Sequence, residues 1–249
     1  MLNHHSVEAL CRLHLSGMAD ALRQQLVAPE FLGRSFEERL AQLIDAEQLS
    51  RDERKQLGLF KRAKLKYPQA CLEDVDYQPG RRLDRSYIAS LATSEWLQHN
   101  QFIVLTGPTG VGKTWLACAL ASQAIRHGHP TLYKRFSLLL EELDVARRDG
   151  SLPKLRAQLA KVKLLVMDDW AMTPLSVAGR HELLELMEER SGRSSVLMTS
   201  QLPLDKWHDY IGELTIADAI LDRIVHRSHR IELSGGPMRR RQSLPAGGA

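Results

Sequence analysis

The sequence predicts an α/β fold: a five-stranded parallel sheet covered by helices on both faces, preceded by a small all-helical N-terminal module. Three observations carry this reading. Five short apolar runs (Phe102–Thr106, Thr131–Phe136, Val162–Met167, Ser195–Thr199 and His229–Leu233) alternate with stretches of helical period around 113–127, 137–148, 176–190 and 215–227. Apolar strands separated by helices belong to a parallel sheet buried on both faces. The first sixty-odd residues hold only helical periodicity, and the first strand ends in a glycine-rich turn, Gly107-Pro-Thr-Gly-Val-Gly-Lys-Thr114, that opens a helix.

Taken in order, Val7, Cys11, Leu15, Met18, Leu22 and Leu26 recur at three- and four-residue steps as one apolar stripe, until Pro29 and Gly33 break it. Ser35-Phe-Glu-Glu38 has the form of a capping box. It opens a second helix with Phe36, Leu40, Leu43 and Ile44 turned inward, which runs into a basic stretch ending near Lys66. Tyr67-Pro68 and Tyr77-Gln-Pro-Gly80 mark a linker. The expected organisation is therefore a helical module over 1–68, the α/β domain over 69–242 and a disordered tail over 243–249. Little chain follows the last strand, so no C-terminal helical lid is expected.

The turn Gly107–Thr114 matches G-x-x-x-x-G-K-S/T, and its strand-before, helix-after context is the one the motif requires. Glycines let successive N–H groups curl toward phosphate oxygens, and the helix N-terminus adds its positive end. Gly107, Pro108, Thr109, Gly110, Val111, Gly112, Lys113 and Thr114 are thus the expected cradle of a nucleoside triphosphate. Lys113 is expected to reach the β- and γ-phosphates, and the Thr114 hydroxyl to sit on Mg²⁺.

Fifty-five residues after Lys113, Lys163-Leu-Leu-Val-Met-Asp-Asp169 describes a buried strand that delivers two acids to the same edge of the sheet. Asp168 is the candidate holder of the Mg²⁺ shell, and Asp169 the candidate that orients the attacking water. Asp169 is one methylene shorter than the Glu common there in hydrolytic relatives. Ser195-Val-Leu-Met-Thr-Ser-Gln201 is a further strand ending in polar residues, and Thr199, Ser200 or Gln201 could sense the γ-phosphate. Asp222-Arg-Ile-Val-His-Arg-Ser-His-Arg230 presents Arg223, Arg227 and Arg230 near the last strand. Arg223 could reach the nucleotide of a neighbouring subunit, a contribution of about 10³–10⁵ in rate where it occurs. The alternatives for it are an ion pair with Asp218 or Asp222, or a DNA contact.

Composition is that of a globular chain, 43% hydrophobic and 26% charged over 249 residues, with no apolar run long enough to span a bilayer and no signal-like N-terminus. The three cysteines are far apart and suit a reducing compartment, so a cytoplasmic location is expected. The net charge of +4 is unevenly spread. Arg51, Arg54, Lys55, Lys61, Arg62, Lys64 and Lys66 crowd one stretch, and six arginines lie between Arg223 and Arg241. Such clusters suit a polyanion, although a solvated helix face and a basic tail would look the same.

Gly-Pro-Thr-Gly-Val-Gly-Lys-Thr114, Leu-Leu-Val-Met-Asp-Asp-Trp170, Thr-Ser-Gln-Leu-Pro203, Lys-Trp-His208, Asp-Ala-Ile-Leu-Asp-Arg-Ile-Val-His226, Ala70-Cys-Leu-Glu-Asp-Val-Asp76 and His229-Arg-Ile-Glu-Leu-Ser-Gly235 together resemble the IstB family, the ATP-dependent helpers of bacterial insertion sequences. The similarity runs from the helical module to the Met238-Arg-Arg-Arg241 tail. It implies an AAA+ ATPase of the initiator and helicase-loader clade that assembles on duplex DNA with ATP and Mg²⁺, as a homo-oligomer with nucleotide between subunits, and serves a partner transposase. It also implies that the helical module binds DNA and self-associates, which fits the basic stretch and makes Lys55, Lys61, Arg62 and Lys64 the expected backbone grip. Lys134-Arg135 and Arg147-Arg148, near the second strand, are weaker candidates. A replicative helicase loader, a small-molecule kinase and a nucleotide-gated clamp with little turnover are the competing readings.

Overall fold

The computed structural model describes residues 2–31, 33–236 and 238. The expected tail over 243–249 and the arginines at 239–241 lie outside them. Contacts divide the chain into two compact units, Met1–Gly58 and Leu59–Ala249. The division falls earlier than the linker signals at 67–80 suggest, because Leu59, Ala63, Leu65 and Ala70 are already buried in the core of the second unit.

The first unit holds α1 (Leu2–Arg12), α2 (Ser16–Val27) and most of α3 (Phe36–Ala63). The capping box forms as predicted: Ser35 N donates to Glu38 Oε2 (2.9 Å) and Glu38 N to Ser35 Oγ (3.2 Å). The single stripe expected over 7–26 is instead two helices. His14 takes a left-handed φ of 58°, its N–H returns to Cys11 O and that of Leu15 to Leu10 O, which closes α1. The inward face expected of α3 also differs. Phe36 (71% exposed) and Ile44 (51%) face solvent, as Leu40 does in part. The α2–α3 seam runs instead through Gly17, Gln25 and Glu47. A Cβ at Gly17 would stand 2.4 Å from Ala46 O, and the Glu47 carboxylate caps α2 by accepting from Gly17 N (2.8 Å).

In the second unit, α4 (Arg85–Ala92) and α5 (Glu95–Gln98) precede β1 (Phe102–Thr106), α6 (Lys113–Arg126), β2 (Thr131–Arg135), α7 (Phe136–Asp149), α8 (Leu152–Ala160), β3 (Leu164–Trp170), α9 (Val177–Arg190), β4 (Ser195–Ser200), α10 (Trp207–Ile211), α11 (Leu214–Val225) and β5 (Ser228–Glu232). The five strands form one parallel sheet in the order β2-β3-β4-β1-β5. The period-two alternation of each strand splits the core between two faces. Ile103, Leu105, Val166 and Leu197 pack with α6 on one side, while Val104, Leu165, Met167 and Met198 pack with α7, α9 and α11 on the other. Among the described residues no α-helix follows β5. None of their helices is long and apolar enough to cross a membrane.

This strand order positions the site. β4 lies between β1, which carries the glycine-rich turn, and β3, which carries the acids, so Thr199 comes to stand between the two. The pairing of β3 with β4 slips between Met167 and Trp170, so Asp168 and Asp169 together face one residue, Thr199. Asp169 (φ 61°) and Ala171 (φ 65°) take left-handed backbone there. Trp170, fully buried between Phe136 (4.4 Å) and Trp207 (4.9 Å), pins the strand just beyond the bulge.

Candidate nucleotide site

The turn Gly107–Gly112 leaves β1 at the carboxyl edge of the sheet and enters α6 at Lys113. Its glycines are needed for two separate reasons. Gly107 (φ 141°) lies so close to the chain after β5 that a Cβ would stand 2.2 Å from Leu233 O. Gly112 (φ 95°) is approached by Arg81, whose guanidinium donates to Val111 O (2.8 Å). The loop is braced again where Met238 N donates to Gly110 O (3.0 Å).

Lys113 is buried, and its Nζ folds back onto Gly107 O (2.7 Å) and Pro108 O (2.8 Å). Burial lowers its affinity for the proton, against the pull of Asp169 and Asp168. The Thr114 hydroxyl donates to Asp168 Oδ1 at 2.8 Å. Asp168 is fully buried and accepts twice more, from Thr199 Oγ1 (2.6 Å, on Oδ1) and from the Tyr133 hydroxyl (2.5 Å, on Oδ2). Lys66 Nζ stands 3.8 Å from Oδ2. Burial and the neighbouring carboxylate push the Tyr133 phenol far up, so it remains a donor. Asp169 stays partly exposed, 3.8 Å from Arg135 Nε, and its backbone N–H donates to Thr199 Oγ1 (3.0 Å).

Of the three polar residues at and just past the end of β4, Thr199 is spent on the acids and the buried Ser200 hydroxyl bonds Trp170 O. Gln201 is exposed, and its Oε1 accepts from Thr109 Oγ1 (2.6 Å) on the loop. The structure therefore brings together Gly107 to Thr114, Asp168, Asp169 and Gln201.

The donor set suits a hard divalent cation. A hydroxyl and a buried carboxylate meet at the foot of a loop whose positive-φ glycines leave room for phosphate. The described residues contain no group of three or more His, Cys, Asp or Glu side chains able to hold a metal unaided. A cation here would be shared with phosphate oxygens, as Mg²⁺ commonly is.

Arg223 lies elsewhere. β5 runs parallel to β1 with Ser228 beside Phe102, so the end of α11 sits at the sheet edge opposite the glycine-rich turn. Its guanidinium donates to Glu188 Oε1 on α9 (2.5 Å) and to Ala219 O (2.6 Å). The two acids offered as its alternative ion-pair partners are engaged by histidines, Asp218 by His208 and Asp222 by His226. The Arg230 guanidinium donates to Val225 O.

The basic candidates divide. Lys61, Arg62 and Lys64 are exposed at and just past the end of α3, as is Lys55 in the first unit. Lys134, in contrast, is held by both carboxylate oxygens of Glu142 (2.5 and 2.6 Å), and Arg135 turns to Asp169. Arg147 and Arg148, at the end of α7, are paired to Glu182 and Asp144. β2 therefore offers acid-neutralised cations rather than a free positive patch. Sequence reasoning missed Tyr133, Thr199 as the bridge between the acids, and Arg81. It counted Lys66 only as one surface cation among seven.

A family model described as IstB-like ATP binding protein matches residues 8–246. A protein of Pseudomonas fluorescens named as an insertion sequence IS1162 ATP-binding protein is 48% identical over 82% of this chain and 88% of its own. One of Sinorhizobium fredii, named as an insertion sequence ATP-binding protein, is 43% identical over 97% of this chain and 98% of its own. Among solved structures, the DnaC helicase loader superposes with a TM-score of 0.54 at 18% identity, over 68% of this chain and 99% of that one. The last comparison shows a shared fold.

Proposed function

The chain belongs to the IstB-like family of ATP-binding proteins, and from that premise we propose that it is an ATPase that assembles on duplex DNA and assists a partner transposase in moving an insertion sequence. The observation that carries the nucleotide half of this reading is the meeting of the Thr114 hydroxyl with buried Asp168 beneath the loop. The loop N–H groups and Lys113 bind the triphosphate, with Lys113 exchanging two backbone carbonyls for phosphate oxygens. Thr114 and Asp168 would hold a Mg²⁺, which would supply neutralising charge to the triphosphate. Gln201, hydrogen-bonded to the loop through Thr109, senses the γ-phosphate.

Hydrolysis needs a water in line with the γ-phosphorus. Asp169 orients that water and accepts its proton as the new P–O bond forms, and the bond to the β–γ bridging oxygen breaks to release ADP and phosphate. Arg223 is too remote from its own loop to serve its own nucleotide, being at the opposite sheet edge. That placement supports action on the nucleotide of a neighbouring copy, after exchange of Glu188 for phosphate. ATP then stabilises the assembly, and the assembly raises DNA affinity through linkage. Lys55, Lys61, Arg62 and Lys64 grip phosphates without reading bases, and the cell compartment is the cytoplasm.

The testing experiment is binding to long duplex and to single strands, with and without ATP–Mg²⁺, at two salt concentrations. Salt-sensitive, sequence-tolerant, ATP-dependent binding to duplex supports the transposition reading. Preference for single strands moves the assignment to a helicase loader.

A further inference from the structure

Asp168 gathers more groups than a metal-binding acid needs, and they divide by oxygen. Oδ1 receives the Thr114 and Thr199 hydroxyls and so faces the phosphate loop. Oδ2 points the other way and receives one hydrogen bond, from Tyr133 (2.5 Å). The only other group recorded at Oδ2 among the described residues is the Lys66 ammonium, 3.8 Å away and partly exposed.

Tyr133 reaches Asp168 across a strand boundary. β2 lies beside β3, with Tyr133 opposite Val166 and Arg135 opposite Asp168, and the ring fills a buried position against α6. A phenol fixed by core packing can hold one carboxylate oxygen and so set the rotation of the carboxylate plane. With the phenol absent, Oδ2 loses its hydrogen-bond donor in a dry site, and an unsatisfied buried carboxylate oxygen is costly. The nearest remedy is rotation toward Lys66. That movement would turn Oδ1 away from Thr114 and leave an ammonium competing for the charge a divalent cation needs.

We propose that Tyr133 is a positioning residue for the metal-binding carboxylate: it holds Asp168 by Oδ2 so that Oδ1 faces Thr114, against the opposing pull of Lys66. The inference rests on the nucleotide–Mg²⁺ reading of this site. Partners that orient a metal ligand from outside its coordination sphere typically change metal affinity by about 10–100-fold when removed.

The test is equilibrium binding of a fluorescent ATP analogue, read as a Mg²⁺ titration and again with the metal chelated. Tyr133→Phe keeps the ring and removes only the hydroxyl. It is expected to raise the Mg²⁺ concentration at half effect by about 10-fold or more, with metal-free affinity for the analogue unchanged. Lys66→Met, at a side chain outside the core, is expected to move the half-point the opposite way, by several-fold, and it reads the same oxygen even if Tyr133→Phe does not fold. An unchanged half-point in a folded Tyr133→Phe protein, or an equal loss of metal-free and metal-dependent binding, overturns the positioning role. An unchanged half-point in Lys66→Met overturns the opposition at Oδ2. A wild-type protein whose nucleotide binding ignores Mg²⁺ overturns the reading of the site itself, and the inference with it.

Discussion

Thr199 ties the two acids together: its hydroxyl donates to Asp168 Oδ1 at 2.6 Å and accepts from the Asp169 backbone N–H at 3.0 Å. One side chain on β4 thereby fixes both the direction of a carboxylate and the bulge that presents its neighbour. The two acids are consecutive in sequence yet meet different surroundings. Asp168 is fully buried among donors, while Asp169 is left accessible beside Arg135. That difference suits the separate tasks proposed for the two.

Asp169→Asn is expected to lower ATP hydrolysis by about 10²–10⁴-fold, the usual contribution of a positioned base, with nucleotide affinity unchanged. Asn tolerates the left-handed backbone at this position, so the bulge survives the change. Steady-state turnover and analogue binding check it. A parallel loss of binding would mean that the carboxylate holds the nucleotide rather than the water.

Arg223 and Glu188 can be separated by a pair of variants. Arg223→Ala is expected to cut turnover of the assembled protein by about 10³-fold, leaving nucleotide binding by the dilute protein intact. Glu188→Ala frees the guanidinium from its ion pair and is expected to leave turnover at or above the wild-type level. If both variants lose activity alike, the pair is a structural tie between α9 and α11.

Arg190 is 1% exposed and donates to Leu159 O, Val162 O and Ser195 O, at 3.1, 3.1 and 2.7 Å. Burial pulls its pKa down to about 10. Arg190→Met leaves those carbonyls without their donor, at a cost of roughly 3 kcal/mol or more, which corresponds to a fall of about 6–12 °C in Tm for a domain of this size. Thermal melting checks it. A Tm within about 2 °C of wild type, less than 1 kcal/mol on the same scale, would show that water replaces the guanidinium.

His229 supplies a pH dependence. Its Nε2 faces Gln101 Oε1 and its Nδ1 the Tyr87 hydroxyl (both 2.9 Å), partners that suit a neutral ring donating from Nε2 and accepting at Nδ1. Burial holds its pKa below the ordinary 6.5. The unfolded chain therefore binds the proton first as pH falls. The stability from His229 is complete above about 6.5 and declines as pH drops from there through the folded value. Melting between about pH 7.5 and 5.5 is expected to show a shallower decline for His229→Gln than for wild type. Equal slopes would assign the decline to other groups.

Much of the site was legible because its spacing is local. The turn Gly107–Thr114, the strand ending in Asp168-Asp169 and the capping box at Ser35–Glu38 each need only neighbouring residues to be recognised. What escaped depends on which strands end up adjacent. Tyr133 meets Asp168 only because β2 lies beside β3, and Thr199 stands between loop and acids only because β4 inserts between β3 and β1. The stripe over 7–26 hid a helix break, since His14 takes the left-handed backbone without a glycine to announce it. The stripe on α3 was real but faces solvent, because a polar seam at Gly17, Gln25 and Glu47 holds α2 instead. Charge counting placed Lys134 and Arg135 on a DNA face, although acids nearby in space, Glu142 and Asp169, engage both.

The most direct measurement is the sedimentation of wild-type and Lys113→Ala protein on long duplex DNA with ATP–Mg²⁺. The hydrogen bonds of Lys113 Nζ go to two carbonyls of the loop itself, so its loss is expected to leave the fold intact. Wild type is expected to form a large nucleoprotein assembly that dissolves without ATP, and Lys113→Ala to remain small and to release the DNA. Undiminished ATP-dependent assembly by Lys113→Ala would contradict the account.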